Sequence, residues 1–255
     1  MYLFINGKEC EVRDEKTVLE VAQREGIYIP TLCHHPALEP YGACRLCLVE
    51  VKSGGKPGLT ASCALPAFHG LEIETDSPRV KHVRGIVMKL IMAACPDVPA
   101  VLELAHNLGV TDTPYEIAEK PKSCVLCGVC VRICNKVGTS AINFAFRGSN
   151  RRVCSPFDKT PDVCLGCRAC ENVCPVGLIK FTEKDGMLIG KPFNNNVEMA
   201  VCSQCGKPFA GAPLVSKLSS EFGGNFNICP HCQKTNEGAL ILKANGGAPY
   251  LNSLK

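Results

Sequence analysis

The sequence predicts an α+β protein built from several small modules. Three observations lead to this prediction: a strand, turn, strand and helix pattern at the start of the chain, a long apolar repeat of helical period after residue 77, and nineteen cysteines that fall, with three exceptions, into closely spaced groups. A chain of 255 residues, 46% hydrophobic and 20% charged, has room for two or three compact modules and is neither disordered nor membrane-like in composition.

The first module opens with a predicted β-hairpin and a short helix. An apolar strand ends at Ile5 and is followed by Asn6-Gly7, a pair that favours the tight turn of a hairpin. Thr17, with Glu20 three residues later, has the spacing of a helix N-cap and its reciprocal partner. The expected order is therefore strand, strand, helix.

Two further strands and a long helix are predicted next. Residues 48–51 and 71–75 have strand patterns, so a small mixed sheet packed on the first helix is expected. Ser77-Pro78 has the N-cap and first-turn proline typical of a helix start. Apolar residues then recur at helical spacing as far as Ala94, which predicts one long helix.

The segment that follows predicts a second helix over residues 99–108 and a linker over residues 110–121. The longest apolar stretch, residues 85–94, contains Lys89 and is too short to cross a bilayer, so we expect no membrane-spanning segment. The formal net charge of +4 is mild, the basic residues are scattered and tryptophan is absent. These features argue against a nucleic-acid surface.

The cysteines are expected to bind metals rather than to form disulfides. The N-terminus has no basic segment followed by an apolar core and a cleavage site, so a cytoplasmic, reducing location is expected. Cysteines spaced C-x2-C in such a chain are typical metal ligands.

The first cysteine group has the spacing C-x10-C-x2-C-x15-C. A close pair flanked by two distant single cysteines indicates a [2Fe–2S] site, whereas structural zinc prefers two close pairs. Gly42 and Ala43 precede the pair, and small residues there allow backbone N–H groups to turn toward the sulfurs. The predicted ligands are Cys33, Cys44, Cys47 and Cys63.

This first group carries a family resemblance. Plant-type ferredoxins have a shorter first loop, C-x4-C-x2-C. The present spacing resembles instead the N-terminal [2Fe–2S] domain of the large iron–sulfur subunit of respiratory complex I, of many [FeFe]-hydrogenases, and of the small diaphorase subunit of NAD-reducing hydrogenases. The resemblance implies a β-grasp [2Fe–2S] ferredoxin domain over residues 1–77.

A repeated cysteine motif follows the linker. Each copy reads C-x2-C-x2-C-x3-C, and Pro175 follows the second copy. The motif resembles that of two-cluster ferredoxins, in which the fourth cysteine of each copy ligates the other cluster. The predicted sets are Cys124, Cys127, Cys130 and Cys174 for one [4Fe–4S] cluster, and Cys164, Cys167, Cys170 and Cys134 for the other. This two-[4Fe–4S] ferredoxin-like module is expected over residues 122–182.

Two C-x2-C knuckles, 23 residues apart, form the last group. Four thiolates in this arrangement are typical of a zinc ribbon and leave no open position for catalysis. A single iron or a further [4Fe–4S] cluster is an alternative, because S4 geometry alone does not select the metal. The predicted ligands are Cys202, Cys205, Cys229 and Cys232, in a zinc-ribbon-like module with a tail over residues 183–255.

The helical connector over residues 78–121 departs from the resembled family. In those relatives the helix after the [2Fe–2S] domain leads into a histidine-plus-three-cysteine motif that binds an additional [4Fe–4S] cluster. Here residues 92–97 occupy the place of the histidine, and the other ligands have no counterpart in the sequence. We infer that this cluster is missing, and we interpret Cys95, like Cys10 and Cys154, as structural.

The resemblance, which covers about residues 1–182, implies an electron-transfer subunit of a flavin-dependent NAD(P)-linked oxidoreductase complex. Iron–sulfur clusters take single electrons whereas nicotinamide delivers hydride, so a flavoprotein NAD(P)-binding subunit is an expected partner. Ferredoxin and a further catalytic subunit are candidate partners if the complex is electron-bifurcating. The chain has no phosphate-binding or catalytic motif, so we expect no substrate site of its own.

Two alternatives stay open. The chain could be a diaphorase-part subunit of a NAD(P)-linked hydrogenase or formate dehydrogenase, or it could be a free polyferredoxin that shuttles electrons without a fixed partner. The helical connector and the four-cysteine module argue against a free carrier, because such a carrier needs only its clusters.

Overall fold

The computed structural model describes residues 1–117 and 122–244. The chain forms two compact units, each made of several segments. The first consists of Met1–Val137, Phe144–Val153 and Ala169–Leu178, and the second of Gly138–Asn143, Cys154–Arg168 and the chain from Ile179 onward. Both contain helices and strands, which confirms the α+β prediction. In the two described ranges, no helix is both long and apolar enough to cross a membrane.

The first unit begins with the predicted hairpin and helix. β1 (Tyr2–Ile5) and β2 (Lys8–Glu11) pair antiparallel, and both turn residues between them have positive φ, 53° at Asn6 and 77° at Gly7. α1 (Val18–Arg24) begins at a capping box, in which the side chains of Thr17 and Glu20 each accept a hydrogen bond from the other's backbone N–H.

Three more strands complete a five-stranded sheet: β3 (Leu48–Ser53), β4 (Gly58–Ala61) and β5 (Glu72–Glu74). The strand order is β2-β1-β5-β3-β4, with β1 and β5 parallel and the other neighbours antiparallel. Leu3, Ile5, Leu19 and Ile73 are fully buried in the core between sheet and helix. This is the small mixed sheet packed on one helix that the sequence predicts.

Two connector helices follow, α2 (Pro78–Ala94) and α3 (Pro99–Asn107). The Ser77 hydroxyl accepts a hydrogen bond from the Val80 N–H at 3.2 Å, as expected for the predicted N-cap. Met88 of α2 and Val101 of α3 are completely buried in a shared apolar cluster. The predicted linker continues from there, and its residues 118–121 lie outside the described residues.

The repeated cysteine motif is associated with two short helices, α4 (Val129–Lys136) and α5 (Ala169–Asn172), which pack against each other in the first unit. Between them along the chain, β6 (Asn143–Ala145) and β7 (Arg152–Cys154) pair as a two-stranded sheet.

The second unit contains a four-stranded sheet that the sequence analysis did not predict. Its strands are β8 (Lys180–Lys184), β9 (Met187–Lys191), β10 (Asn195–Val201) and β11 (Pro208–Gly211), in the order β11-β10-β9-β8. α6 (Ala212–Phe222) packs on β10 and β11, and α7 (Pro230–Ala244) is the last described element. The tail expected beyond it lies outside the described residues.

The loop that carries Cys164 and Cys167 packs on this sheet. A Cβ added at Gly166 would lie 3.1 Å from Leu188 Cδ2, and one added at Gly211 would lie 2.3 Å from the Leu165 carbonyl oxygen. Real Cβ atoms do not approach a backbone oxygen that closely. The close approach of loop and strand therefore depends on glycine at position 211.

We expect Gly211→Ala to displace this loop and to destabilise the second unit by about 1–3 kcal/mol, as overpacking of a tight contact does. If Cys164 and Cys167 ligate a [4Fe–4S] cluster as the sequence predicts, iron per chain should fall by about four. The midpoint of thermal unfolding should also decrease. Iron analysis and anaerobic circular dichroism would measure both. Gly238→Ala is the matched control, because a Cβ there meets nothing within 4 Å. Full iron content in the Gly211→Ala chain would show that the position of the cysteine loop does not depend on glycine at position 211.

Candidate metal centres

The four cysteines of the first group converge beside the five-stranded sheet. Cys33 lies in the loop after α1, Cys44 and Cys47 lie just before β3, and Cys63 lies in a helical turn after β4. Hydrogen bonds join their thiols in two pairs, Cys33 with Cys44 and Cys47 with Cys63. Three of the four are buried and Cys44 is half-buried, so most of the site is shielded from water.

Backbone N–H groups point at these sulfurs. The N–H of Cys44 donates to Cys33 Sγ at 3.4 Å, and the N–H of Ala43 donates to the same sulfur. The N–H of Gly42 donates to Cys63. The inward turn expected of the small residues before the pair is confirmed.

The thiols of each pair share their protons unequally. Donation by the Cys33 thiol lowers the pKa of Cys44 to about 5, and donation by Cys63 lowers the pKa of Cys47 to about 6. The same hydrogen bonds, together with burial, raise the pKa of Cys33 and of Cys63. One thiolate therefore forms readily in each pair at neutral pH, and thiolate is the form that binds a metal.

Cys174, after α5, lies near the first copy of the repeated motif. Burial raises the pKa of Cys124, Cys127 and Cys130, to about 11 for Cys127. The charge of a Cys174 thiolate also raises the pKa of these three thiols. The first unit therefore brings together the four cysteines of the first predicted [4Fe–4S] set.

The second predicted [4Fe–4S] set is divided between the two units. Cys134 lies on α4 and Cys170 on α5, and these helices pack together in the first unit. Cys164 and Cys167 lie on the loop that packs on the sheet of the second unit. Ligation of one cluster by these four residues stays a prediction.

Both copies of the motif share a backbone conformation. Positive φ occurs at Leu126 and Gly166, 54° and 64°, and again at Gly128 and Arg168, 73° and 59°. These left-handed residues occupy the same two positions of each copy, and they turn N–H groups toward the sulfurs: the N–H of Leu126 donates to Cys124 Sγ at 3.4 Å. The sequence repeat is thus also a structural repeat.

Arg132 of α4 links the first cysteine group to the repeated motif. Its guanidinium donates hydrogen bonds to the carbonyl oxygens of Cys33 and Glu39, the latter at 2.8 Å. It also lies over the ring of Tyr41, 4.9 Å from the centroid. Sequence analysis did not single out Arg132, because one basic residue on a short helix forms no pattern.

Two further contacts support the same link. Lys136 donates a hydrogen bond to the carbonyl oxygen of Ala37. Cys33, Cys127 and Val129 belong to one buried apolar cluster. The loop between Cys33 and Cys44 is thereby fixed to α4, and the two predicted cluster sites are neighbours within the first unit.

The three ungrouped cysteines are not members of these predicted ligand sets. Cys95 is buried and its thiol donates to the Cys124 carbonyl oxygen at 3.6 Å. Cys10 is buried in β2, and its thiol donates to the Lys8 carbonyl oxygen at 3.5 Å. Cys154 is half-buried at the end of β7.

The last four cysteines converge in the second unit. The Sγ atoms all lie within 4.8 Å of one another, with 3.8 Å between those of Cys205 and Cys229. Over residues 1–117 and 122–244, no other three or more His, Cys, Asp or Glu ligand atoms form so close a group. The members are Cys202, Cys229 and Cys232, which are buried, and Cys205, which is exposed.

Backbone N–H groups also stabilise this site. The N–H of Cys229 donates to Cys202 Sγ at 3.3 Å and lowers the pKa of that thiol to about 6. The N–H of Cys232 donates to Cys229 Sγ at 3.5 Å. His231, between the two cysteines of this knuckle, is exposed and does not belong to the group.

Comparison with known proteins gives two domain matches and several relatives. Residues 2–78 match the 2Fe-2S iron-sulfur cluster binding domain, and residues 123–178 match the 4Fe-4S dicluster domain. The alpha subunit of the NADPH-Fe(3+) oxidoreductase of Geobacter sulfurreducens is 28% identical over 98% of this chain and 31% of its own length. A subunit of the NADH-quinone oxidoreductase of Rickettsia prowazekii is 29% identical over 69% of this chain and 29% of its own length.

Among solved structures, a chain in the crystal structure of NAD+-reducing [NiFe]-hydrogenase in the H2-reduced state is 28% identical, with a TM-score of 0.55 over 60% of this chain and 74% of that chain. The present chain spans about a third of the length of the curated relatives that it matches. The Geobacter relative extends the similarity past residue 182, where the predicted resemblance ended. The resemblance itself is confirmed: this chain has a [2Fe–2S] ferredoxin domain and a [4Fe–4S] dicluster domain, and it is similar to subunits of NAD(P)H-linked oxidoreductases and of an NAD+-reducing hydrogenase.

Proposed function

We propose that this chain is an electron-transfer subunit of a flavin-dependent NAD(P)-linked oxidoreductase complex. The observation that carries the proposal is the packing of the first cysteine group against the first copy of the repeated motif within one compact unit. In this proposal the [2Fe–2S] ligands are Cys33, Cys44, Cys47 and Cys63, and the two [4Fe–4S] sets are Cys124, Cys127, Cys130 with Cys174, and Cys164, Cys167, Cys170 with Cys134.

The donor sets fit these clusters. Each consists of four thiols, the ligand type that iron–sulfur clusters require. The two pairs of the first group, Cys33 with Cys44 and Cys47 with Cys63, suit a cluster of two irons in which each iron takes two thiolates. When bound, such clusters supply one-electron oxidation and reduction. The chain's own groups exclude water and donate N–H hydrogen bonds to the sulfurs.

Arg132 supports direct transfer between the first two centres. Its hydrogen bond to the Cys33 carbonyl oxygen joins the helix of the [4Fe–4S] motif to a [2Fe–2S] ligand without an intervening domain. The buried contact between Cys33 and Cys127 brings a ligand of each centre together. An electron entering at one site therefore has a short path, through packed protein, to the other.

The four-cysteine site suits a single ion. Tetrahedral sulfurs at about 2.3 Å from one metal ion are separated by about 3.8 Å, the Sγ distance between Cys205 and Cys229. A cluster of four irons would hold its thiolates farther apart. We propose zinc, with a single iron as the alternative, and a structural role because all four positions are filled by Cys202, Cys205, Cys229 and Cys232.

The proposed partners follow from the chemistry of nicotinamide as the electron donor. Nicotinamide delivers two electrons as hydride, so a flavoprotein subunit that binds NAD(P) is needed to separate them. Ferredoxin and a further catalytic subunit are partners if the complex bifurcates electrons. A cytoplasmic location remains part of the proposal. The similarity to a chain of an NAD+-reducing hydrogenase favours, as second candidate, the diaphorase part of a hydrogenase.

Metal analysis tests the cofactor assignment. Anaerobically purified chain should contain about ten iron, about ten acid-labile sulfide and one zinc, from one [2Fe–2S] cluster, two [4Fe–4S] clusters and one thiolate zinc site. About eleven iron with unchanged sulfide and no zinc would assign a single iron to the four-cysteine site. About fourteen of each would contradict the single-ion interpretation.

The crossing of ligands between the two motif copies predicts the effect of Cys134→Ser. This substitution should damage the cluster of Cys164, Cys167 and Cys170 and spare the one of Cys124, Cys127 and Cys130. Iron per chain should fall by up to about four, and paramagnetic resonance would identify the lost signal. Cys154→Ser, at an ungrouped cysteine, is the control. If Cys134→Ser removes the same paramagnetic signal as Cys124→Ser, the two residues ligate one cluster and the crossing is refuted.

Dependence on a flavoprotein tests the function. Isolated chain should be reduced by dithionite but should not oxidise NADH or NADPH with an artificial acceptor. Turnover should appear when the co-purifying flavoprotein is added, and a Cys44→Ser chain, lacking one [2Fe–2S] ligand, should support much less. Sustained nicotinamide oxidation by the chain alone would show a substrate site and would overturn the proposal.

A further inference from the structure

Arg84 is a buried cation beside a proposed [2Fe–2S] ligand. The residue is 4% exposed, and in the part of the chain that the structure describes no other arginine or lysine and no carboxylate is buried. It lies on the second turn of α2, in the helical connector that follows the ferredoxin sheet. Burying a charge is costly unless hydrogen bonds or opposite charges compensate it, so its contacts show what holds it there.

Backbone carbonyl groups surround the guanidinium. Nε donates to the Leu46 carbonyl oxygen at 3.0 Å, and Nη2 donates to those of Leu48 and Thr75 at 2.8 and 3.0 Å. Leu46 and Leu48 are the two neighbours of Cys47 in the chain. The cation therefore spans the backbone that carries this ligand.

The positive charge is only partly neutralised. Asp76 Oδ1 lies 3.4 Å from Arg84 Nη1, but the side chain of Asp76 is 56% exposed whereas that of Arg84 is 5% exposed. Water screens the exposed carboxylate more than it screens the buried guanidinium. Burial lowers the pKa of Arg84, while the charges of Asp76 and Cys47 act in the opposite direction. The guanidinium stays charged, because even a lowered arginine pKa lies far above neutral.

We propose that Arg84 raises the reduction potential of the [2Fe–2S] centre by placing a permanent positive charge against Cys47. Reduction adds one electron, and thus one negative charge, to the centre, and no bond is made or broken. A nearby cation in a medium of low dielectric stabilises that added charge. The inference rests on the proposed ligation of the cluster by Cys47. Arg84 acts as a positioning residue, because its hydrogen bonds go to the backbone on either side of that ligand, at Leu46 and Leu48, and not to the cluster.

The test is a redox titration of the full chain with dithionite, followed by paramagnetic resonance of the [2Fe–2S] signal. Arg84→Met should shift the reduction equilibrium about tenfold toward the oxidised form, which equals about 59 mV for one electron. Arg84→Lys keeps the charge and should stay within about threefold of the parent chain. A spin count per chain confirms that each variant carries the cluster.

Arg79→Met is the matched control, because it removes a positive charge from the same helix at a side chain that is 63% exposed. It should shift the equilibrium less than about twofold. If the Arg84→Met chain contains the cluster but its reduction equilibrium also shifts less than about twofold, the proposal is overturned. An Arg84→Lys chain whose reduction potential equals that of Arg84→Met would overturn the proposal too. Hydrogen-bond geometry rather than charge would then set the potential.

If the Arg84→Met chain does not assemble the cluster, the reduction potential of an Asp76→Asn chain tests the proposal instead. Removing the counter-charge of Arg84 should shift the equilibrium about threefold toward the reduced form. Glu72→Gln, at an exposed carboxylate of β5 that does not contact Arg84, should leave it unchanged. Equal shifts in these two variants would overturn the proposal. A parent chain without a [2Fe–2S] signal would contradict the proposed function itself, a result distinct from an unchanged potential.

Discussion

Sulfur ligands concentrate negative charge in a protein interior with little water, and each cysteine group of this chain depends on donors that offset it. Backbone N–H groups of Ala43 and Gly42 serve the first group, that of Leu126 serves the repeated motif, and that of Cys229 serves the last group. An N–H group points inward only where the backbone turns sharply. The left-handed residues between the cysteines follow from this requirement.

Local patterns were sufficient to predict much of the fold. The hairpin at Asn6-Gly7, the capping box at Thr17 and the start of α2 at Ser77 each depend on residues a few positions apart, and the structure confirms all three. Cysteine spacing likewise indicated which residues would converge in the first and last groups. The first three features depend on short sequence intervals, whereas the cysteine groups were identified from the characteristic spacing of close pairs and more distant members.

Features that depend on distant contacts could not be predicted in this way. Part of the sheet of the second unit does have a local signal, because Asp185-Gly186 between β8 and β9 is a hairpin pair and both residues have positive φ. The packing of the Cys164 loop on that sheet has no such signal. The contact of Gly211 with Leu165 joins residues far apart in sequence. The same holds for Arg84, whose helical position gives no hint that it bonds to both neighbours of Cys47.

The location of Cys174 has a consequence for how the protein is made. A ribosome produces Cys124, Cys127 and Cys130 together, but Cys174 appears about forty residues later, about 2 to 9 s at ordinary rates of synthesis. The first unit also takes its last segment, Ala169–Leu178, after a stretch that belongs to the second. If these four cysteines ligate one cluster, as proposed, the nascent chain carries only three of its ligands until Cys174 is made. Complete ligation of that cluster would then follow translation of residues 169–178, the last segment of the first unit.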